Sequence, residues 1–362
     1  MGLNVILLLI AGLVLLVAGA EILVKGASRL AIMFGLSPLV IGLTIVAYGT
    51  SSPELMVSLQ SSLAGQPDIA LGNVIGSNIF NVLLILGLSA LITPLVVAQQ
   101  LIRLDVPILI GVSCLTLMFG VDGKISRVDG AIFVVLAILY TGFLIIQSRK
   151  EQNAEVQEEY DREYGQNAGR SVQKIATNIG FVVVGLGLLV LGSKWLVDSS
   201  IAIARSLGLS ELVIGLTLVA AGTSLPELAT SVIASMRGER DIAVGNVIGS
   251  NIFNILAVLG GAALLSPEGI TVSPSALHFD LPVMVAVAIV CFPVFITGQL
   301  IARWEGLLFL SYYVAYTTYL ILAATNHNNL PIFNTILLFI VIPATLISLG
   351  VSFLPSFRKS SN

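Results

Sequence analysis

The sequence predicts an all-α polytopic membrane protein. Two inverted five-helix repeats supply ten core transmembrane helices, and an eleventh helix follows at the C-terminal end. Three observations predict this. Apolar stretches of about 18 residues or more, long enough to cross a bilayer, recur from end to end. Only 10% of the 362 residues are charged and 56% are hydrophobic, with a mean hydropathy of +1.01, whereas a soluble domain carries roughly 25% charged residues. A 53-residue stretch also occurs twice, 173 residues apart. The apolar stretches are continuous and do not alternate, which argues against a transmembrane β-barrel.

In chain order the spans fall at about 3–31, 38–62, 68–92, 104–121, 128–147, 174–203, 211–236, 241–265, 280–298, 303–323 and 331–355. An apolar run inside the first ends in Ala18-Gly19-Ala20, the small-residue pattern of a signal-peptide cleavage site. It has no basic leading region and has an equivalent deep in the chain, so it reads as a membrane helix. The first and sixth spans are long enough to tilt strongly or protrude. The polar segment from Ser148 to Lys174, containing EEYDREYGQ, is a solvated linker. The chain therefore divides into a first five-helix repeat (1–147), a polar cytoplasmic linker (148–173), a second, inverted repeat (174–323), and an additional C-terminal helix with its tail (324–362).

Residues 35–87 run from GLSPLVIGLTIVAYGTSSPELMVS to DIALGNVIGSNIFNVLLILG, and residues 208–260 from GLSELVIGLTLVAAGTSLPELATS to DIAVGNVIGSNIFNILAVLG. Without a gap, 36 of the 53 positions are identical. The offset contains five spans, an odd number, so the second copy enters the membrane upside down. Inverted repeats mark secondary transporters, with a substrate site near the midplane where the copies meet. With the N-terminus outside, 13 of the 17 Lys and Arg fall on the inner side and 4 on the outer. That bias predicts a multi-pass cell-membrane protein with a cytoplasmic C-terminus.

Each copy carries G-T-S-x-P-E: Gly49, Thr50, Ser51, Pro53 and Glu54, then Gly222, Thr223, Ser224, Pro226 and Glu227. Proline removes a backbone donor and clashes with the preceding turn, and glycine beside hydroxyl residues loosens it further. The helix should break here and free carbonyls such as those of Ala47, Thr50, Ala220 and Thr223, which then serve as cation ligands. Glu54 and Glu227 would lie at similar depth, and two facing carboxylates repel unless a cation or proton lies between them.

Each copy also carries G-N-V-I-G-S-N-I-F-N. Gly72/Gly76 and Gly245/Gly249 are small-xxx-small pairs that allow close helix approach. Ser77 and Asn81, like Ser250 and Asn254, are four apart and share a helix face. Asn73, Asn78, Asn246 and Asn251 serve equally well as interhelical glue or as site residues. The implied cage of carboxylates, amides, hydroxyls and carbonyls holds no sulfur or imidazole. Such hard oxygen ligands suit Ca2+ or Na+, and two carboxylates balance one Ca2+.

The remaining polar residues take structural readings. Cys114 and Cys291 lie in apolar stretches, and His278 and His327 in loops. Glu21/Lys25 and Lys194/Asp198 are opposite charges four apart, expected to neutralise each other. Asp68, Asp241, Asp105 and Asp280 fall near helix starts, where the dipole favours a carboxylate.

These two motifs, GTSSPELMVS with GNVIGSNIFN and again GTSLPELATS with GNVIGSNIFN, resemble the α-repeats of the calcium/cation antiporter superfamily, its prokaryotic sodium/calcium exchanger branch above all. The resemblance covers spans one to ten and implies ten core helices, the first and sixth sliding across the rest. It implies that Glu54 and Glu227 are paired Ca2+ ligands, helped by backbone oxygens of Thr50 and Thr223. Ser51, Ser77, Ser224 and Ser250, with carbonyls of Ala47 and Ala220, resemble Na+ ligands. Asn81 and Asn254 match a polar position that is aspartate in some potassium-dependent members, so a potassium requirement is not implied. Proton-coupled members show G-N-x-x-E in place of G-T-S-x-P-E, which favours Na+.

The expected function is secondary antiport of Ca2+ against Na+ by alternating access. The partners are these ions and the lipid bilayer, with no cofactor and no nucleic acid, and one chain is sufficient for transport. The alternative is H+/Ca2+ exchange on the same glutamates. A passive channel and a non-transporting scaffold are further rivals, and no nucleophile–base pair or cofactor motif suggests an enzyme.

Overall fold

The structure, a computed structural model, describes residues 3–34, 36–148, 172–206, 220–325, 327–341 and 343. Among these, eight helices are long and apolar enough to cross a membrane, or nine when one bent pair counts as a single span. Nine of the eleven expected spans are thereby accounted for. The span expected at 211–236 is described only from Ala220 onward, and the one at 331–355 only in part. The linker expected at 148–173 falls almost wholly outside the described residues.

The helices in order are α1 (Leu3–Phe34), α2 (Pro38–Thr50), α3 (Ser52–Leu63), α4 (Pro67–Ile92), α5 (Leu101–Gly120), α6 (Arg127–Ser148), α7 (Val172–Ser206), α8 (Ala220–Gly222), α9 (Leu225–Met236), α10 (Arg240–Leu265), α11 (Ala276–Ile296), α12 (Arg303–Ala324) and α13 (Leu330–Ile336). Two-residue strands β1 (Leu95–Val96) and β4 (Leu300–Ile301) pair antiparallel, as do β2 (Lys124–Ile125) and β3 (Ile270–Thr271).

The repeated sequence folds the same way twice. α3 and α9 start and end at equivalent residues, as do α4 and α10. α3 and α9 both stop at a glycine with positive φ, Gly65 (73°) and Gly238 (82°). Beyond each, Gln66 and Glu239 donate their N–H to the carbonyls of Ser61 and Ala234, the bond that closes a glycine C-cap. α4 and α10 lie at the centre, with 72% and 89% of their apolar windows buried, whereas α12 turns outward at 6%. Each central helix widens to a π-helical turn, Asn81–Leu86 and Asn254–Leu259. Such turns redirect side chains and recur at functional sites.

α1 and α7 pack along their length through glycines seven residues apart. A Cβ on Gly12 would meet the Gly192 carbonyl oxygen at 2.9 Å, one on Gly19 that of Gly185 at 2.9 Å, and one on Gly26 that of Asn178 at 2.9 Å. The partner numbers fall as the others rise, so the helices are antiparallel. The seven-residue step matches two turns of supercoiled helix. Lipid is as apolar as leucine, so in the bilayer this pairing depends on close approach of the backbones.

Several local expectations need correction. Neither Glu21/Lys25 nor Lys194/Asp198 forms an ion pair among the described residues; Glu21 instead meets Arg237 at 3.0 Å, and Lys25 lies 6.0 Å from the centre of the Phe181 ring. A guanidinium presented across the gap between helices suits a carboxylate better than an ammonium one turn away. Asp105 and Asp280 do not lie at free helix starts, because the π-helical turns Leu101–Asp105 and Ala276–Asp280 run straight into the following helix. A tyrosine reaches each: Tyr140 donates to Asp105 (2.8 Å), which also accepts from Gln100 Nε2 (3.2 Å), and Tyr316 donates to Asp280 (3.2 Å). His278 belongs to one of these turns and not to a loop. Asp68 and Asp241 do occupy first turns, of α4 and α10.

The glycine seam gives a direct test. Gly185→Ala puts a methyl 2.7 Å from the Leu23 nitrogen, and overpacking of this kind costs about 1–3 kcal/mol. Thermal unfolding of the detergent-solubilised protein is expected at a lower midpoint. Gly187→Ala, whose added Cβ meets nothing within 4 Å among the described residues, is expected not to lower it.

Candidate functional site

The site begins at two helix breaks. α2 and α3 meet at 46°, with Ser51 between them at φ −82°, ψ 8°; Ser224 has nearly the same backbone angles ahead of α9. Pro53 and Pro226 occupy the second position of α3 and α9, where a missing N–H is tolerated. The acceptors they leave without a backbone donor are the carbonyls four residues earlier, those of Gly49 and Gly222. Ser193 Oγ donates to the Gly222 carbonyl at 2.6 Å. α7 crosses close to both positions: a Cβ on Gly49 would lie 2.7 Å from the Leu186 side chain, and one on Gly222 2.6 Å from that of Val197.

The expected release of the Ala47 carbonyl does not occur. It still accepts the Ser51 N–H at 3.0 Å, because the helix keeps its bonding up to Ser51 and breaks after it. The second lone pair of this oxygen faces the site, with Ser250 Oγ at 3.5 Å. Ser77 does not repeat that bond towards Ala220, which opens α8; it lies instead 3.5 Å from Glu54 Oε1 and 3.0 Å from Ser224 Oγ.

The two copies exchange donors. Ser51 Oγ donates to Glu227 Oε1 at 2.7 Å, and Ser224 Oγ to Glu54 Oε1 at 2.9 Å. Thr50 and Thr223 reach across as well, to Asn246 Oδ1 and Asn73 Oδ1, both at 3.2 Å. Each of these asparagines then donates to its own copy. Asn73 reaches the Glu54 carbonyl (3.1 Å) and Ser58 Oγ (2.9 Å), and Asn246 the Glu227 carbonyl (3.4 Å) and Ser231 Oγ (2.9 Å). Asn78 and Asn251 bond each other's backbone carbonyls. All four asparagines with two possible roles therefore bind helices together.

Asn81 and Asn254 differ. Their amide nitrogens donate to Asn251 Oδ1 (3.0 Å) and Asn78 Oδ1 (3.2 Å), while their own Oδ1 atoms have no partner among the described residues. Glu54 Oε2 and Glu227 Oε2 are likewise buried without a partner among the described residues, and all four side chains are 0% exposed. Gly249 lets α10 approach closely, since a Cβ there would lie 2.6 Å from the Leu43 carbonyl oxygen. The matching neighbours of Gly76, at 212–216, lie outside the described residues. Ser58, Ser231 and Ser193 escaped the sequence reading. Ser58 and Ser231 carried a signal, because each lies four residues after its glutamate in both copies.

The donor set is carboxylate, amide, hydroxyl and carbonyl oxygen. Among the described residues no three His, Cys, Asp or Glu gather around a common point. Such a site suits a hard cation that is released again. A family model described as sodium/calcium exchanger protein matches residues 4–146 and 177–322. The chain belongs to this family. It is a multi-pass membrane protein of the cation-antiporter kind. The exchanger is 42% identical over 288 residues to the inner membrane protein YrbG of Escherichia coli, covering 78% of this chain and 86% of that one. It is 36% identical to the sodium/calcium exchanger MaX1 of Methanosarcina acetivorans, covering 86% and 96%. Among solved structures it matches the sodium-calcium exchanger NCX_Mj, soaked with Na+ and Sr2+, at a TM-score of 0.75 and 32% identity, covering 88% and 99%.

The exchanged serines are testable without transport. Ser51→Ala leaves Glu227 Oε1 without its serine donor, at a cost of about 1–3 kcal/mol, and Ser224→Ala leaves Glu54 Oε1 only the longer bond from Ser77. Each variant is expected to unfold at a lower temperature in cation-free buffer.

Proposed function

We propose that this exchanger moves Ca2+ against Na+ across the cell membrane by alternating access, with Ca2+ held between Glu54 and Glu227. The observation that carries this reading is that, of the eight buried side-chain oxygens without partners among the described residues, four belong to the glutamates and asparagines matched between the two copies: Glu54 Oε2, Glu227 Oε2, Asn81 Oδ1 and Asn254 Oδ1. Buried polar atoms are nearly always satisfied, and a cation bound in turn satisfies all four. Two carboxylates match one Ca2+ in charge. Na+ ions replace it by drawing on the same oxygens with those of Thr50, Thr223, Ser51, Ser224, Ser77 and Ser250 and the carbonyls of Ala47 and Ala220. The sodium/calcium exchanger MaX1 and the sodium-calcium exchanger NCX_Mj among its relatives support Na+ as the coupling ion.

Alternating access rests on two inverted repeats, 1–147 and 174–323, with the polar linker between them and the C-terminal helix outside the pair. Exchanged pairings support this. β1 pairs with β4 while β2 pairs with β3, and Ser62 donates to the Ala262 carbonyl while Ser235 donates to that of Ser89. Ser62 and Ser235, like Ser89 and Ala262, are equivalent positions 173 residues apart, as inverted repeats require. The Ser235 end of the molecule also holds Arg237 and Arg303, the latter bonded to Ile92, and is read as cytoplasmic; the Ser62 end holds Lys124 and Arg127. The N-terminus is then outside and the C-terminus inside. Coupling follows from charge. Two bare carboxylates resist being moved through a low-dielectric barrier, and a cation between them removes that penalty.

Na+-driven uptake of radiolabelled Ca2+ into proteoliposomes tests this. Glu54→Gln and Glu227→Gln are each expected to lower the flux by about 100-fold, the equivalent of roughly 3 kcal/mol for breaking a buried charge interaction. Wild-type flux in either variant overturns the site. Uptake driven by a pH gradient in Na+-free buffer, with none driven by Na+, decides for the alternative, H+/Ca2+ exchange on the same glutamates.

A further inference from the structure

An asparagine amide is two-faced: its oxygen accepts and its nitrogen donates, and the two ends have nearly the same shape. An amide lining a cation site binds when its oxygen points inward and repels when its nitrogen does. Something must choose between the two orientations at Asn81 and Asn254. We infer that Asn78 and Asn251 are positioning residues that hold the amides of Asn254 and Asn81 oxygen-inward, towards the two glutamates. The inference rests on the cation site proposed above.

The bonds run in one direction. A backbone carbonyl can only accept, so the Asn78 carbonyl draws the nitrogen of the Asn251 amide (3.2 Å), and the Asn251 carbonyl draws that of the Asn78 amide (3.3 Å). Met284 Sδ, 3.7 Å from Asn78 Nδ2, accepts at the same end. With their nitrogens held, Asn251 and Asn78 present their oxygens to Asn81 Nδ2 at 3.0 Å and Asn254 Nδ2 at 3.2 Å. Those nitrogens are thereby occupied, and the two Oδ1 atoms, like Glu54 Oε2 and Glu227 Oε2, are buried with no partner among the described residues. Reversing any amide in this chain sets oxygen against oxygen or nitrogen against nitrogen in a buried place. The backbone of the central helices therefore sets the polarity of the site, and each copy orients the ligand of the other. An aspartate needs no such orientation, because both its oxygens accept.

Ca2+ binding to the purified full chain tests this, with folding checked by gel filtration and thermal unfolding. Asn251→Leu and Asn78→Leu are expected to weaken Ca2+ binding by about 10–100-fold, the usual effect of removing the partner behind a metal ligand. Asn81→Asp is expected to recover the loss caused by Asn251→Leu, and Asn254→Asp that caused by Asn78→Leu. The crossed doubles, such as Asn251→Leu with Asn254→Asp, add the same charge but leave the wrong amide free, and are expected to recover less. Where a leucine variant does not fold, Asn251→Ala or Asn78→Ala carries the same expectations. Wild-type affinity in the folded single variants, or equal recovery by matched and crossed doubles, overturns the positioning role. Wild-type affinity in Glu54→Gln overturns the underlying site instead.

Discussion

Two carboxylates at 0% exposure in the middle of a membrane protein are the constraint around which the rest is arranged. Neither can be left bare, and neither can be neutralised permanently if the site is to exchange ions. Each glutamate has one oxygen satisfied by a serine from the opposite copy and one left free. The serine bonds hold the carboxylate in place at modest strength. The free oxygen keeps it available. The helix breaks, the glycines that let α7 pass over them, and the asparagines that brace them serve this division.

Binding the copies through each other's donors has a mechanical consequence. Ser51 and Thr50 belong to one break, but their acceptors, Glu227 and Asn246, belong to the other copy. The reciprocal bonds from Ser224 and Thr223 complete the set. On the proposed function, a cation held between the glutamates would touch both halves at once, and the exchanged bonds tie the two breaks together. The α1–α7 seam is of a different kind. It is held by close backbone contact at glycines spaced along both helices.

The fold was largely legible in the sequence because bilayer thickness imposes a length on every span, and nine of the expected spans have counterparts among the described residues. Much of the candidate site was legible because the repeat doubled each signal: a single buried glutamate favours no particular role, whereas two in matched proline-broken helices point to a common one. The sequence reading went wrong where partners came from other helices. Glu21 found Arg237, and Asp105 found Tyr140, because a helix-face rule sees only four residues ahead. The glycines of the α1–α7 seam were visible as a seven-residue spacing but meaningless until α7 lay against them.

By itself the sequence determined the membrane class, the doubled motif, the helix breaks and the hard-oxygen character of the donors. These follow from composition, from proline's missing N–H, and from which atoms each side chain carries. Tertiary structure decided which oxygens are free. Asn78 and Asn81 are the same residue three positions apart, yet one braces the helices and the other leaves its oxygen without a partner among the described residues. An amide's role depends on what faces each of its ends, and those neighbours come from the other half of the chain.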